Sequence, residues 1–184
     1  MKLRVGEGMT LDGVMEGLNE WVFPYISQEA TDDIMADIRK TGAFLFGRTT
    51  YEGMIPWSTR TGEMADIFNT LPKYVVSSTL TDVSVWNNVH IISEHIVEEV
   101  AKLKQQGESE KLLLINGSAD LVGLLAAHDL IDEYLLTVAP LVVGKGKRLF
   151  PEGFEARLRL VEYKAYKTGM LRLHYETVKQ GKSV

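Results

Sequence analysis

The chain has 184 residues, 45% of them hydrophobic, which suits one domain of ordinary size with a core of its own. It has no cysteine, which excludes a disulfide framework, a thiolate nucleophile and cysteine-based zinc or iron–sulfur sites. A net charge of −5 argues against general nucleic-acid affinity, which needs a clustered cationic surface, and the four histidines are too scattered to suggest a metal cluster.

The segment Met1–Gly6 lacks the apolar stretch of a signal peptide, and no apolar run approaches the roughly 20 residues that cross a bilayer. The expectation is a cytoplasmic protein with no membrane partner. A first strand runs into Met9-Thr10-Leu11-Asp12-Gly13, where Asp-Gly signals a turn. Ala30 to Thr41 carries Ile34, Met35 and Ile38 at helical spacing and meets a stop at Gly42. Four short, nearly continuous apolar runs follow: Ala43–Phe46, Tyr74–Val76, Val89–Ile92 and Leu112–Ile115. Runs of this kind mark strands buried on both faces, as in a parallel sheet covered by helices. Ser93 to Gln106, ending at Gly107, and Ser118 to His128 have helical periodicity between or after them. That alternation implies crossover units. Ile131 to Val143 reads as a long strand. Leu158–Ala165 and Met170–Val178 then read as a hairpin turning at Thr168-Gly169. No linker is visible. Residues 1–178 are expected to form one domain, and 179–184 a frayed polar tail.

Parallel sheets bind ligands beyond the carboxyl ends of their strands, so the residues after each run carry the interest. After Phe46 stand Gly47, Arg48, Thr49 and Thr50: a glycine for close approach, a planar guanidinium, two hydroxyls and the free amides of a helix start. These suit phosphate, and they also suit an ordinary helix start with an Arg–Glu surface pair. After Val76 come Ser77, Ser78 and Thr79, hydroxyls for a ribose or a phosphate, or simply a polar turn. After Ile115 come Asn116, Gly117, Ser118, Ala119, Asp120 and Leu121, which could cradle a pyrophosphate through backbone amides. Each piece is weak alone. Three such ends on one sheet edge match the length of a dinucleotide. The loop Gly144–Phe150, with Lys145, Lys147 and Arg148, reads equally as a solvated loop, a flap over an anion or part of a subunit interface.

These residues resemble the dihydrofolate-reductase-like family that includes the reductase domain of the bifunctional riboflavin-biosynthesis deaminase/reductase, and most of all its stand-alone bacterial members. The resemblance rests on Thr10–Gly13, Gly47–Glu52, Val76–Leu80, Gly117-Ser118 with Leu121, Asp129–Tyr134 and Ala139–Phe150, in family order over nearly the whole chain. It implies an α/β, three-layer α-β-α fold, with a mainly parallel sheet and an antiparallel C-terminal hairpin at its edge. It implies an NADPH site: Arg48, Thr49 and Thr50 on cofactor phosphates, Ser77 and Ser78 near the adenosine ribose and its 2′-phosphate, and Gly117–Asp120 along the pyrophosphate. Leu11, Asp12 and Gly13 would border the nicotinamide and substrate. A homodimer is implied as well, with Ile131–Leu149 as a contact region. The chain departs from true dihydrofolate reductases in having Asn116-Gly117 where they have a Gly-Gly pair, and it lacks the deaminase half of the bifunctional enzyme.

The resulting expectation is hydride transfer from NADPH to a small conjugated heterocycle, pterin- or ribosylaminopyrimidine-like. Asp12 is the first candidate proton donor, with Asp33 or its neighbour Asp32 behind it. Tyr51 and Trp57 are candidate stacking partners for a planar substrate, though aromatics more often fill cores. A nucleotide-binding sensor without turnover, or a dimeric scaffold with another ligand, remain the competing classes.

Overall fold

The computed structural model describes residues 1–179. Strand β1 (Lys2–Thr10) is followed by a short helix α1 (Leu18–Trp21), a 3-10 turn Phe23–Tyr25, and helix α2 (Gln28–Ile38). Then come β2 (Thr41–Gly47), α3 (Arg48–Met54), a second 3-10 turn Ile55–Thr59, α4 (Glu63–Thr70), β3 (Lys73–Val76) and β4 (Val89–Ile92). The chain continues through α5 (Ile96–Gln106), β5 (Leu112–Ile115), α6 (Ala119–Ala127), β6 (Glu133–Ala139), β7 (Leu158–Ala165) and β8 (Leu171–Thr177).

The strands form one sheet in the order β4-β3-β2-β5-β1-β6-β8-β7. All neighbours are parallel except β6–β8 and β8–β7, so the antiparallel hairpin closes one edge as the sequence pattern implied. Alternation along the central strands sends side chains into two layers. On one face Leu3, Val5, Leu45, Leu113 and Ile115 pack against α5 and α6 through Val100, Leu121, Val122 and Leu125. On the other, Phe44, Phe46 and Leu114 pack with Tyr51, Phe68 and Trp86. Helices thus cover both faces, which is why the strands read as continuous apolar runs.

Several boundaries differ from the pattern reading. Helix α2 begins at Gln28, capped by the Ser27 hydroxyl, which accepts from the Ala30 N–H at 3.1 Å, and it ends at Ile38. Gly42 is not its stop. It lies inside β2, where a Cβ would come within 2.8 Å of Lys111 Cβ. Helix α5 starts at Ile96 rather than at Ser93, after a left-handed His95. The long strand expected over 131–143 is limited to Glu133–Ala139, because Pro140 has no N–H to continue a ladder. Strand β6 is hydrogen-bonded on both sides, to β1 and β8, so this part of the proposed subunit contact region has no free edge. Of the expected frayed tail, Lys179 is described, and its ammonium meets Asp132 at 3.1 Å. Residues 180–184 lie outside the described part.

Candidate functional site

Strands β3, β2 and β5 are parallel neighbours, so Gly47–Thr50, Ser77–Thr79 and Asn116–Leu121 all emerge along one edge of the sheet. Two of these loops touch. A Cβ on Gly47 would fall 2.6 Å from Ser118 Oγ, and one on Gly117 would fall 2.4 Å from Thr50 Oγ1. Gly117 (φ 75°) and Ser118 (φ 63°) are consecutive left-handed residues, an uncommon conformation for serine and one found most often at functional sites. The Ser118 hydroxyl offsets part of that strain by accepting from the Leu121 N–H at 3.3 Å, capping α6.

Arg48 joins α3 to the serine turn. Its Nη1 donates to Thr79 Oγ1 at 2.6 Å and its Nε to Glu52 at 2.7 Å. Ser77 is committed to the turn, accepting from the N–H groups of Thr79 and Leu80 at 3.2 and 3.0 Å. The hydroxyls of Thr49, Thr50 and Ser78 have no hydrogen-bond partner among the described residues. Ala119 and Leu121 bury their side chains, so only their backbone faces this edge. The basic loop after β6 is not a free flap: Val14 and Arg148 form a bridge, Leu149 is fully buried, and Lys147 Nζ reaches Asp120 at 2.5 Å.

Beside this edge, a cavity of about 360 Å³ lies between α2 and the sheet face of β1, β5, β6 and β8. Its walls are apolar, among them Leu18, Phe23, Ile34, Ile38, Trp57 and Leu114. Its floor is ionic. Asp37 takes Arg172 Nη2 at 2.6 Å and faces Arg4 Nη1 at 3.7 Å, while Arg4 donates to Glu133 at 2.5 and 2.8 Å. Burial alone would lift the Glu133 carboxyl, but its bonds to Lys2 and Arg4 outweigh that and hold it below the usual range. A larger hollow of about 810 Å³, bordered by Tyr134, Phe154 and Arg157, opens at the other end of the sheet, away from the C-termini of the parallel strands.

Glu7 and Asn116 connect the cavity to the edge. Strands β1 and β5 pair only as far as Val5–Ile115 and then part, because β1 continues alongside β6. Asn116 Nδ2 donates to the Gly6 carbonyl at 2.8 Å across the gap, and Glu7 Oε2 accepts from the Gly117 N–H at 2.6 Å. Burial pushes the Glu7 carboxyl up to about 7, only partly opposed by the Gly117 and Gly8 amides. Both residues line the cavity.

Trp57 and Asn116 are therefore at the cavity, and the phosphate-type donors are gathered at the edge next to it. Other candidates are not. Tyr51 is buried in the core and stacks on Trp86 at 6.2 Å. Leu11 and Gly13 lie in the turn after β1, outside the cavity lining, and Leu11 is exposed. Asp12 binds the Thr10 hydroxyl at 2.6 Å and the Gly144 amide at 2.9 Å; the hydroxyl first, then the amides, hold its carboxyl below the ordinary range. Asp33 is held low by Lys164 at 2.5 Å and by Tyr166 at 2.9 Å, and Asp32 binds Gln28. These acids anchor loops and helices; none of them lines the cavity.

The pattern reading missed Glu7 and Asp37, and each carried a signal. Glu7 interrupts the inward-facing series Leu3, Val5, Met9, and Asp37 falls in the buried stripe with Ala30, Ile34 and Ile38. A charge in an apolar period marks a partner or a site.

The strand order and the antiparallel closing hairpin define a dihydrofolate-reductase-like α/β protein, with a donor-rich sheet edge and an apolar cavity beside it. The chain belongs to the RibD C-terminal domain family, whose model matches residues 1–172. It is 27% identical to the Bacillus subtilis protein YyaP over 177 residues, covering 91% of this chain and 90% of that one. Among solved structures it resembles a Shewanella sp. PV-4 protein named for riboflavin biosynthesis (TM-score 0.79, 19% identity, 97% of this chain and 100% of that one). It also resembles dihydrofolate reductase of Enterococcus faecalis, solved with NADP(H) (TM-score 0.66, 16% identity, 97% of each chain).

Proposed function

We propose that this protein is an NADPH-dependent reductase acting on a small conjugated heterocycle of pterin or pyrimidine type. The observation that carries the reading is the adjacency of two surfaces with different chemistry. One is a sheet edge with unengaged hydroxyls, first-turn amides and one guanidinium, and the other is an apolar cavity that opens from it at the β1–β5 gap. Family membership and the fold shared with an NADP(H)-binding reductase support it.

In this reading Arg48, Thr49, Thr50 and Ser78 hold the 2′-phosphate and ribose end of the cofactor. The amides of Ser118, Ala119 and Asp120 take the pyrophosphate, as helix starts do. NADPH held there would supply a hydride for an electrophilic ring carbon, the ring taking up one proton as it is reduced. The chain's part is alignment and exclusion of water. Trp57 and Leu114 flank the ring, while Glu7 and Asn116 hold the 116–118 loop against β1. The proton comes from water, because Asp37 is bound to two guanidiniums and Glu7 turns its carboxyl to Gly117. A homodimer is part of the proposal: edge strand β7 exposes Leu160, Val161 and Tyr163, apolar side chains that a second copy would cover.

The test is loss of reduced-nicotinamide absorbance with a panel of pterins and pyrimidines. Turnover by the wild type that persists in Asp12→Asn and Asp33→Asn fits the proposal. Cofactor binding without turnover on any ring would make the protein a nucleotide-binding module.

A further inference from the structure

The cavity's charge balance narrows the ligand further. Arg4 and Arg172 are the cations in its lining, and both are nearly out of solvent. Arg172 is bonded to Asp37, and Arg4 to Glu133 with Asp37 beyond it. Lys40 and Lys2, more exposed, contact the same two carboxylates from outside the cavity. Two guanidiniums thus face Asp37 and Glu133, with the exposed Glu162 3.7 Å from Arg172, and ionised Glu7 would add a further negative charge. An incoming phosphate would have to draw a guanidinium out of a short, poorly solvated bond, Arg172 to Asp37 at 2.6 Å or Arg4 to Glu133 at 2.5 Å, and gain only a replacement for it. A neutral ring loses nothing by entering and buries its faces against Leu18, Ile34, Ile38, Trp57 and Leu114.

We propose that the cavity selects an uncharged planar ring and rejects its phosphorylated counterpart, because every cation lining it is already matched by a carboxylate. This rests on the reductase reading only in calling the ring a substrate. The geometry of the walls and floor stands apart from the cofactor. Phosphate then enters this protein only as part of the dinucleotide, at the sheet edge, where the Arg48–Glu52 pair is exposed to water, and so easily parted, and the hydroxyls of Thr49, Thr50 and Ser78 are free. The ring on which this protein acts would then carry no phosphate.

The test is isothermal titration of the protein with 2-naphthol and 2-naphthyl phosphate, which share one planar bicycle and differ in the phosphate. Naphthol binding at least about tenfold tighter than the ester is expected. In Asp37→Asn, which releases Arg172, the preference moves toward the ester by about tenfold. Because that variant disturbs buried ion pairs, Phe23→Arg gives a second arm. Phe23 is 67% exposed at the mouth, and a free cation there raises ester affinity while lowering that of naphthol. Equal or tighter binding of the ester by the wild type overturns the proposal, as does failure of naphthol to bind. NADPH titrated alone in the same experiment separates the two readings. If it fails to bind while naphthol is still preferred, the reductase reading falls and the selectivity of the cavity stands.

Discussion

The sheet edge and the cavity floor are both polar, yet they are built on opposite plans. At the edge, Thr49, Thr50 and Ser78 keep their hydroxyls free, and the backbone is strained through Gly117 and Ser118. At the floor, Arg4, Asp37, Glu133 and Arg172 satisfy one another. Unspent donors with local strain mark a surface prepared for a ligand. A closed ionic network marks one that must stay neutral while apolar walls do the binding.

The sharpest way to break this contrast is to open the floor. Asp37→Ala takes the close counter-charge from Arg172 and the more distant one from Arg4, and urea unfolding is expected to show a loss of about 3 kcal/mol. A loss below about 1 kcal/mol would mean that water, not Asp37, compensates those cations. The second test concerns the hinge between the two regions. Glu7 has a carboxyl raised from 4.5 to about 7, so between these values the unfolded chain gives up its proton while the folded protein keeps it. Stability therefore falls as pH rises through that window and levels off above about 7, by an amount on the order of 3 kcal/mol. Glu7→Gln should lose that slope, which then appears in the difference between the two proteins; an unchanged slope in the variant would assign it to other groups.

The third test is at the edge. Arg48→Ala is expected to weaken NADPH by about tenfold or more while weakening NADH much less, measured by titration. Equal losses would remove the basis for preferring the phosphorylated cofactor. Stability should change by about 1 kcal/mol or less, since the Arg48–Glu52 pair is exposed. The smallest effect expected is at the cap. Ser118→Ala removes the bond to the Leu121 N–H and should cost about 1 kcal/mol, with a parallel loss of cofactor affinity if the loop's shape matters for binding.

The sequence made the edge far easier to read than the floor. Gly47, Ser77, Gly117 and Ser118 follow apolar runs directly, so strand ends and ligand donors are local and one pattern exposes both. The floor is assembled from Arg4, Asp37, Glu133 and Arg172, which lie on four different elements and meet only through the sheet order. The helix carrying Asp32, Asp33 and Asp37 illustrates the difficulty. Its existence is clear from periodicity, and the apolar stripe of Ala30, Ile34 and Ile38 singles out Asp37 as the inward carboxylate, but its partners Arg4 and Arg172 stand on strands far away in sequence. Asp12 shows a different limit: from the sequence a turn acid next to a family motif reads as chemical, and only the fold shows it bonded to the Thr10 hydroxyl and the Gly144 amide, outside the cavity lining.

A crystal structure of the NADPH complex tests the central claim most directly. The account predicts the adenosine phosphate at Arg48 and the Ser77–Thr79 turn, the pyrophosphate on the amides of Ser118–Asp120, and the nicotinamide at the β1–β5 gap beside Glu7 and Asn116, facing the apolar cavity. A cofactor bound anywhere else, or a nicotinamide turned away from that cavity, would contradict it.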